Sequence, residues 1–162
     1  MASNQHSDRD KLMAQALAAT QSGRLDEAVS LYKQVIAAEP DYVDAYLRLS
    51  HVYMKTDNAD EVITVLGEAL RLDPNNTSAN FGLGLAYHTK PDPERAIPYY
   101  RETLRLDPNH QEVRKYLVKA LKAISHDQAE LTKIAHDALA HERSGRGFMY
   151  RLVKFVTGAK GG

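Results

Sequence analysis

The sequence predicts an all-α fold of stacked helix-turn-helix units, and three observations predict it. The stretch "EALRLDPNN" at 68–76 returns, little changed, as "ETLRLDPNH" at 102–110, 34 residues later. Sliding the chain along itself by 34 aligns further columns: Ala28, Val62 and Ala96; Tyr32, Leu66 and Tyr100; Leu49, Leu83 and Leu117; Tyr53 and Tyr87; and the small residues Ala16, Ser50 and Gly84. Punctuation keeps the same period, with Pro40, Pro74 and Pro108 in one column. Small residues let two antiparallel helices approach closely, and the Leu and Tyr columns fill the space between them. The proline ends the second helix of each unit, because it lacks an N–H and disfavours helix in the residue before it.

Taken in chain order, residues 1–8 form a polar lead expected to be flexible. The first unit spans 9–42, with its internal turn at Gly23, and the second spans 43–76, with its turn at Asp57-Asn58. The third spans 77–110 and turns at Pro91-Asp92-Pro93, where Asp92 can cap the next helix and Pro93 can occupy its first turn. Val62 stands in the small-residue column, Asn80 where a large apolar residue is usual, and Pro98 inside the third unit's second helix, where a kink or a late helix start is expected. A degenerate fourth unit begins at 111, and the repeat domain is expected to cover 9–124. After Lys122 the period fails. Ser125 with Gln128 three residues on reads as a helix start, and Ala129, Leu131, Ile134, Ala135, Ala138 and Leu139 recur at helical spacing, so 125–143 is expected to cap the array. Residues 144–162 open on the joint Ser144-Gly145-Arg146-Gly147 and form a basic, amphipathic tail.

Composition narrows the function classes. With 43% apolar residues the 162-residue chain can bury a core, and with no cysteine it has neither disulfides nor thiolate metal sites. The start "MASNQHSDRDK" lacks the apolar run of a secretory signal, and no run of about 18 apolar residues follows, so a cytoplasmic protein is expected. The net charge of zero hides an asymmetry. All 21 acids lie at or before Glu142, so residues 1–142 carry 16 − 21 = −5 and the remainder carries +5. A body of that sign is a poor partner for nucleic acid, which needs a concentrated basic face. No catalytic constellation is present: Gly82-Leu83-Gly84 lacks the third glycine of a dinucleotide loop, and His136 and His141 are five apart, off a common helix face. His51 and His88 can meet across adjacent helices as a two-His metal site, but ordinary surface histidines are the preferred reading, so no metal and no cofactor are expected.

The period of 34 with these columns closely resembles the tetratricopeptide repeat family, and the resemblance covers about two thirds of the chain. It implies a right-handed α-solenoid, since one repeat cannot bury its apolar face and neighbours must stack. It also implies that the first helix of each repeat lines a concave face used for binding other proteins. Carried over, those positions are Asp10, Met13, Leu17 and Thr20; Asp44, Leu47, His51 and Met54; Ser78, Phe81, Leu85 and His88; and Glu112, Lys115, Lys119 and Lys122. Such apolar residues serve equally as inter-helix core, yet Met13, Leu17, Leu47, Met54, Phe81 and Leu85 falling together in ligand-facing columns favours an apolar groove with a basic end. The family's clamp for the acidic C-terminal tails of heat-shock chaperones uses Lys, Asn and Arg. The matching positions here are Met13, Leu17, Arg48, Ser78 and Gly82, with one basic residue among them, so helix-in-groove recognition fits better.

The tail is the second feature with content. Phe148, Met149, Leu152, Val153, Phe155 and Val156 form one helical face, and Arg151, Lys154 and Thr157 the other. Such a segment can lie on an anionic membrane, bind a partner, or fold back on the solenoid of its own or a neighbouring copy. The sequence therefore predicts a non-enzymatic adaptor or scaffold that holds a segment of another protein. The alternative is a peripheral subunit or assembly factor of a membrane-associated complex, recruited by Phe148, Met149, Arg151, Leu152, Lys154 and Phe155.

Overall fold

A computed structural model describes residues 2–124 of the chain. The expected capping helix 125–143 and the tail 144–162 lie outside the described residues. Among those described there are seven helices and no strand: α1 (Ala2–Gln21), α2 (Leu25–Ala38), α3 (Val43–Lys55), α4 (Ala59–Leu72), α5 (Thr77–Thr89), α6 (Pro93–Leu106) and α7 (Gln111–Ile124). None is long and apolar enough to cross a membrane. Each helix packs on the next, and in addition α3 touches α5 and α5 touches α7. The odd helices thus meet one another across repeats, which places them on the inner side of a two-layered solenoid.

The connectors between repeats are near copies of one another. The residues before the three prolines, Glu39, Asp73 and Asp107, have φ/ψ of −134/86°, −133/87° and −129/89°, the extended conformation that a following proline imposes. Each of their N–H groups donates to the carbonyl four residues back, on Val35, Ala69 and Thr103, at 2.8 Å. Each of their carbonyls accepts from the N–H three residues on, at 3.1–3.2 Å, and the turn closes. Tyr46 and Arg114, which share a column, each donate from the side chain to the preceding connector proline's carbonyl (Pro40 and Pro108). Asn80 in that column is buried and donates to the Asn76 carbonyl at 3.0 Å. The amide that looks out of place in the sequence is a satisfied polar group.

The turns within repeats share a different geometry. The N–H groups of Arg24, Asn58 and Asp92 each donate at 2.9 Å to the carbonyl five residues back (Ala19, Tyr53 and Tyr87), which is the six-to-one bond of a Schellman helix end. The residue before each must take a positive φ: Gly23 is at 74°, Asp57 at 57° and Pro91 at 26°. Gly23 and Asp57 also donate to the carbonyls of Thr20 and Met54, both at 3.3 Å, whereas proline has no N–H to give. Only glycine tolerates this position without cost, and proline's ring opposes it most. We expect Pro91→Gly to stabilise by about 1–2 kcal/mol, from relieved strain and one regained hydrogen bond less glycine's extra unfolded-state freedom. A urea midpoint that fails to rise would show the turn to be unstrained.

Two details differ from the sequence expectations. The lead 1–8 is helical from Ala2, because a nucleated helix propagates through any stretch without Gly or Pro. α6 does not start late: Asp92 accepts from the Arg95 N–H, Pro93 opens the helix, and the helix runs on through Pro98. Pro98 is exposed, as is Glu94, whose carbonyl loses its helical donor and can turn to water.

The buried columns are those the period picks out: Ala16, Ala28, Ala96 and Tyr100 are 0% exposed, and Tyr32, Leu49, Val62, Leu66 and Leu117 are 1% exposed. They divide into two clusters. One runs from α1 to α5 and includes Ala16, Tyr32, Leu49, Leu66 and Leu83; the other joins α6 to α7 through Ala96, Tyr100, Leu104, Val113, Leu117 and Leu121. Tyr87 packs against both.

Candidate functional site

The inner helices bring the expected groove residues to the surface in different degrees. Leu17 of α1 is 38% exposed, a large apolar side chain left in water, and His51 of α3 is exposed. Met13, Leu47 and Met54 are half-buried and pack on the first core cluster, so they form the floor of the groove rather than its open wall. Thr20, Asp10 and Asp44 contribute little to such a wall: Thr20 is buried with its hydroxyl donating to the Ala16 carbonyl, Asp10 accepts from Arg9, and Asp44 accepts from Arg48 at 2.7 Å. Arg48, the single basic residue at the chaperone-clamp positions, is thus committed to a neighbour, and its pKa is raised by that hydrogen bond.

Phe81 sits in an aromatic cluster. Its ring centroid lies 4.8 Å from His110, 6.0 Å from Tyr116 and 6.4 Å from Tyr100. It bridges α5, α6, the following connector and α7, so it serves chiefly as packing between the third and fourth repeats.

One pocket gathers three of the expected residues. Met54, Leu85 and His88 line it together with Asp57, Asn58, Ala59, Val62, Ala86, Thr89 and Tyr116, around a cavity of about 260 Å³. The Schellman turn between α3 and α4 supplies one wall, α5 the floor and α7 the far wall. Leu85 is half-buried and belongs to neither core cluster, and Tyr116 meets His88 edge to face at 5.5 Å. Burial lowers the His88 pKa, and the charge of Lys119 lowers it further, which favours a neutral imidazole at pH 7. Lys115, Lys119 and Lys122 are exposed on α7 beside this pocket. Tyr116 is the residue that column-by-column reading missed. Its signal was a bulky aromatic between two groove lysines, in a column where the preceding repeat has Gly82.

Among the described residues no group of three or more His, Cys, Asp or Glu could hold a metal ion. His136, His141 and the tail residues Phe148, Met149, Arg151, Leu152, Lys154 and Phe155 lie outside the described residues.

Similarity to known proteins agrees with this architecture. The chain superposes on the first such domain of Spaghetti (RPAP3), solved bound to the HSP90 peptide SRMEEVD, with TM-score 0.69, 22% identity, and coverage of 72% of this chain and 92% of that one. It superposes on the Arabidopsis OM64 repeat domain with TM-score 0.70 and 17% identity over 74% of this chain and 99% of that one. MamA gives TM-score 0.73 and 19% identity over 91% and 80%. No curated protein matches in sequence. Two tetratricopeptide-repeat models match, over residues 19–80 and 77–110, together more than half of the 162 residues. With the 34-residue period, the paired helices and the repeated connectors, these matches show that the chain belongs to the tetratricopeptide-repeat family.

Proposed function

We propose that this protein is a non-catalytic adaptor that holds a segment of a partner protein against the inner face of its solenoid. The observation that carries this reading is an inner surface left apolar in water, with Leu17 exposed on α1 and Leu85 half-buried around a pocket on α5. A structurally similar repeat domain was solved with a peptide bound, which supports a peptide as ligand. The clamp chemistry for that peptide is not carried over, because Arg48 is paired with Asp44 and Gly82 is buried against Leu66 and Met54. A peptide laying apolar side chains into the groove fits instead, at a cytoplasmic location.

Affinity purification with the full chain, with Leu17→Glu/His51→Glu and with a chain ending at Glu142 tests the reading. Both substituted side chains are exposed, so helical content and melting temperature should stay within about 2 °C while partner recovery falls at least tenfold. Equal recovery with this variant would sink the groove reading. Loss of the partner on truncation alone would favour recruitment through the tail, to a membrane-associated complex or another protein.

A further inference from the structure

We propose that the α5–α7 end of the inner face anchors an acidic segment of a partner protein, with one large apolar side chain in the pocket and carboxylates along Lys115, Lys119 and Lys122. This rests on the protein-binding reading and narrows it to one place and one chemistry. The pocket, at about 260 Å³, falls below the roughly 300–1,000 Å³ of small-molecule sites. Its walls are chiefly apolar, from Met54, Val62, Leu85, Ala86 and Tyr116, and the unbranched Met54 adapts to the shape it meets.

The lysines adjoin the pocket directly. Tyr116 forms its wall and lies between Lys115 and Lys119 in sequence, and Lys119 is close enough to act on His88 across the opening. Spacings of four and three residues set the lysines on one helix face, over about 10 Å. Like charges so placed repel each other, and an anion relieves that repulsion. Among the described residues, neither Lys115 nor Lys119 forms an ion pair, whereas Arg24, Arg48, Arg71, Lys90 and Arg105 all do.

The occupant's sign follows. The chain's own tail carries Arg143, Arg146, Arg151, Lys154 and Lys160 and no acid after Glu142, so it is repelled from this end of the groove. Nucleic acid is disfavoured by the −5 carried on residues 1–142. An acidic peptide with an apolar anchor satisfies pocket and lysines together.

The test pans a displayed library of random 12-residue peptides against the full chain and measures the selected peptides by fluorescence anisotropy. Enriched sequences should carry two or more Asp or Glu within about four residues of a Leu, Met, Phe or Trp. Lys115→Glu/Lys119→Glu should weaken the best peptide at least tenfold, and replacing its acids by lysine should restore affinity to that variant. Leu85→Asp should weaken it without changing the salt dependence, while Leu17→Glu, at the far end, should have less than a twofold effect. If selected peptides lose affinity with Leu17→Glu and not with the lysine reversals, the groove binds protein elsewhere and the anchoring proposal is wrong. Enrichment of basic or uncharged peptides overturns it too. Failure to enrich any peptide, with lysine-dependent binding of poly(U) RNA or phosphatidylserine vesicles instead, overturns both readings.

Discussion

Gly84→Leu should cost about 3 kcal/mol, whereas Gly67→Ala should add about 0.5–1 kcal/mol, although both glycines lie inside helices. A Cβ built at Gly84 would fall 2.5 Å from Cδ1 and 3.0 Å from Cζ of Tyr100, whose ring is 0% exposed and cannot swing away. Helix α5 runs so close to α6 that only a residue without a side chain fits between backbone and ring. At Gly67, on the outer face of α4, an added Cβ meets nothing within 4 Å, and the substitution simply removes glycine's unfolded-state freedom. Opposite shifts of the urea midpoint are expected. Equal shifts would mean that close approach of α5 and α6 is not what the small-residue column secures. A loss near 3 kcal/mol matters in a domain whose whole stability is of order 5–15 kcal/mol.

Leu66→Ala is the second large effect, expected at about 3 kcal/mol from lost burial and the cavity left behind. Leu66 is 1% exposed, and its Cδ1 lies 2.5 Å from where a Cβ on Gly82 would stand; Met54 Cε is 3.2 Å from the same point. Gly82→Ala alone should therefore destabilise, because Leu66 has no free volume to move into. Once Leu66 is truncated, the methyl group that Gly82→Ala introduces enters the vacated space. The double mutant should be more stable than the sum of the singles by at least about 1 kcal/mol. Additivity within about 0.3 kcal/mol in the urea midpoints would contradict the packing of α4 on α5.

Much of this was legible from the period alone, because the forces that set it act locally. Pro40, Pro74 and Pro108 each restrict the residue before them, so the near-identical dihedral angles of Glu39, Asp73 and Asp107 could be read before any coordinates existed. The columns of Ala28, Tyr32 and Leu49 mark burial for the same reason, since a repeated environment selects a repeated residue size. What escaped depended on departures from the pattern. Pro91 reads as a turn residue, but its seat in a left-handed position follows only from the hydrogen-bond register of the turn. Phe81 stands in a ligand-facing column, yet the aromatic neighbours His110 and Tyr116 draw it into packing. Tyr116 lines the pocket from a degenerate repeat, where no column could vouch for it.

The division of the core into two clusters gives the pocket a role in cooperativity. Met54 packs on the first cluster and Val62 is part of it, while Tyr116 packs on the second, so the cavity straddles the seam between two blocks that could otherwise open separately. Whatever fills it touches both and couples their opening. An occupied protein would unfold as one unit, and amide exchange in α6 and α7 would slow to the pace of α3 and α4. Recognition and the integrity of the last repeat would then be one equilibrium, read at the two ends of the same seam.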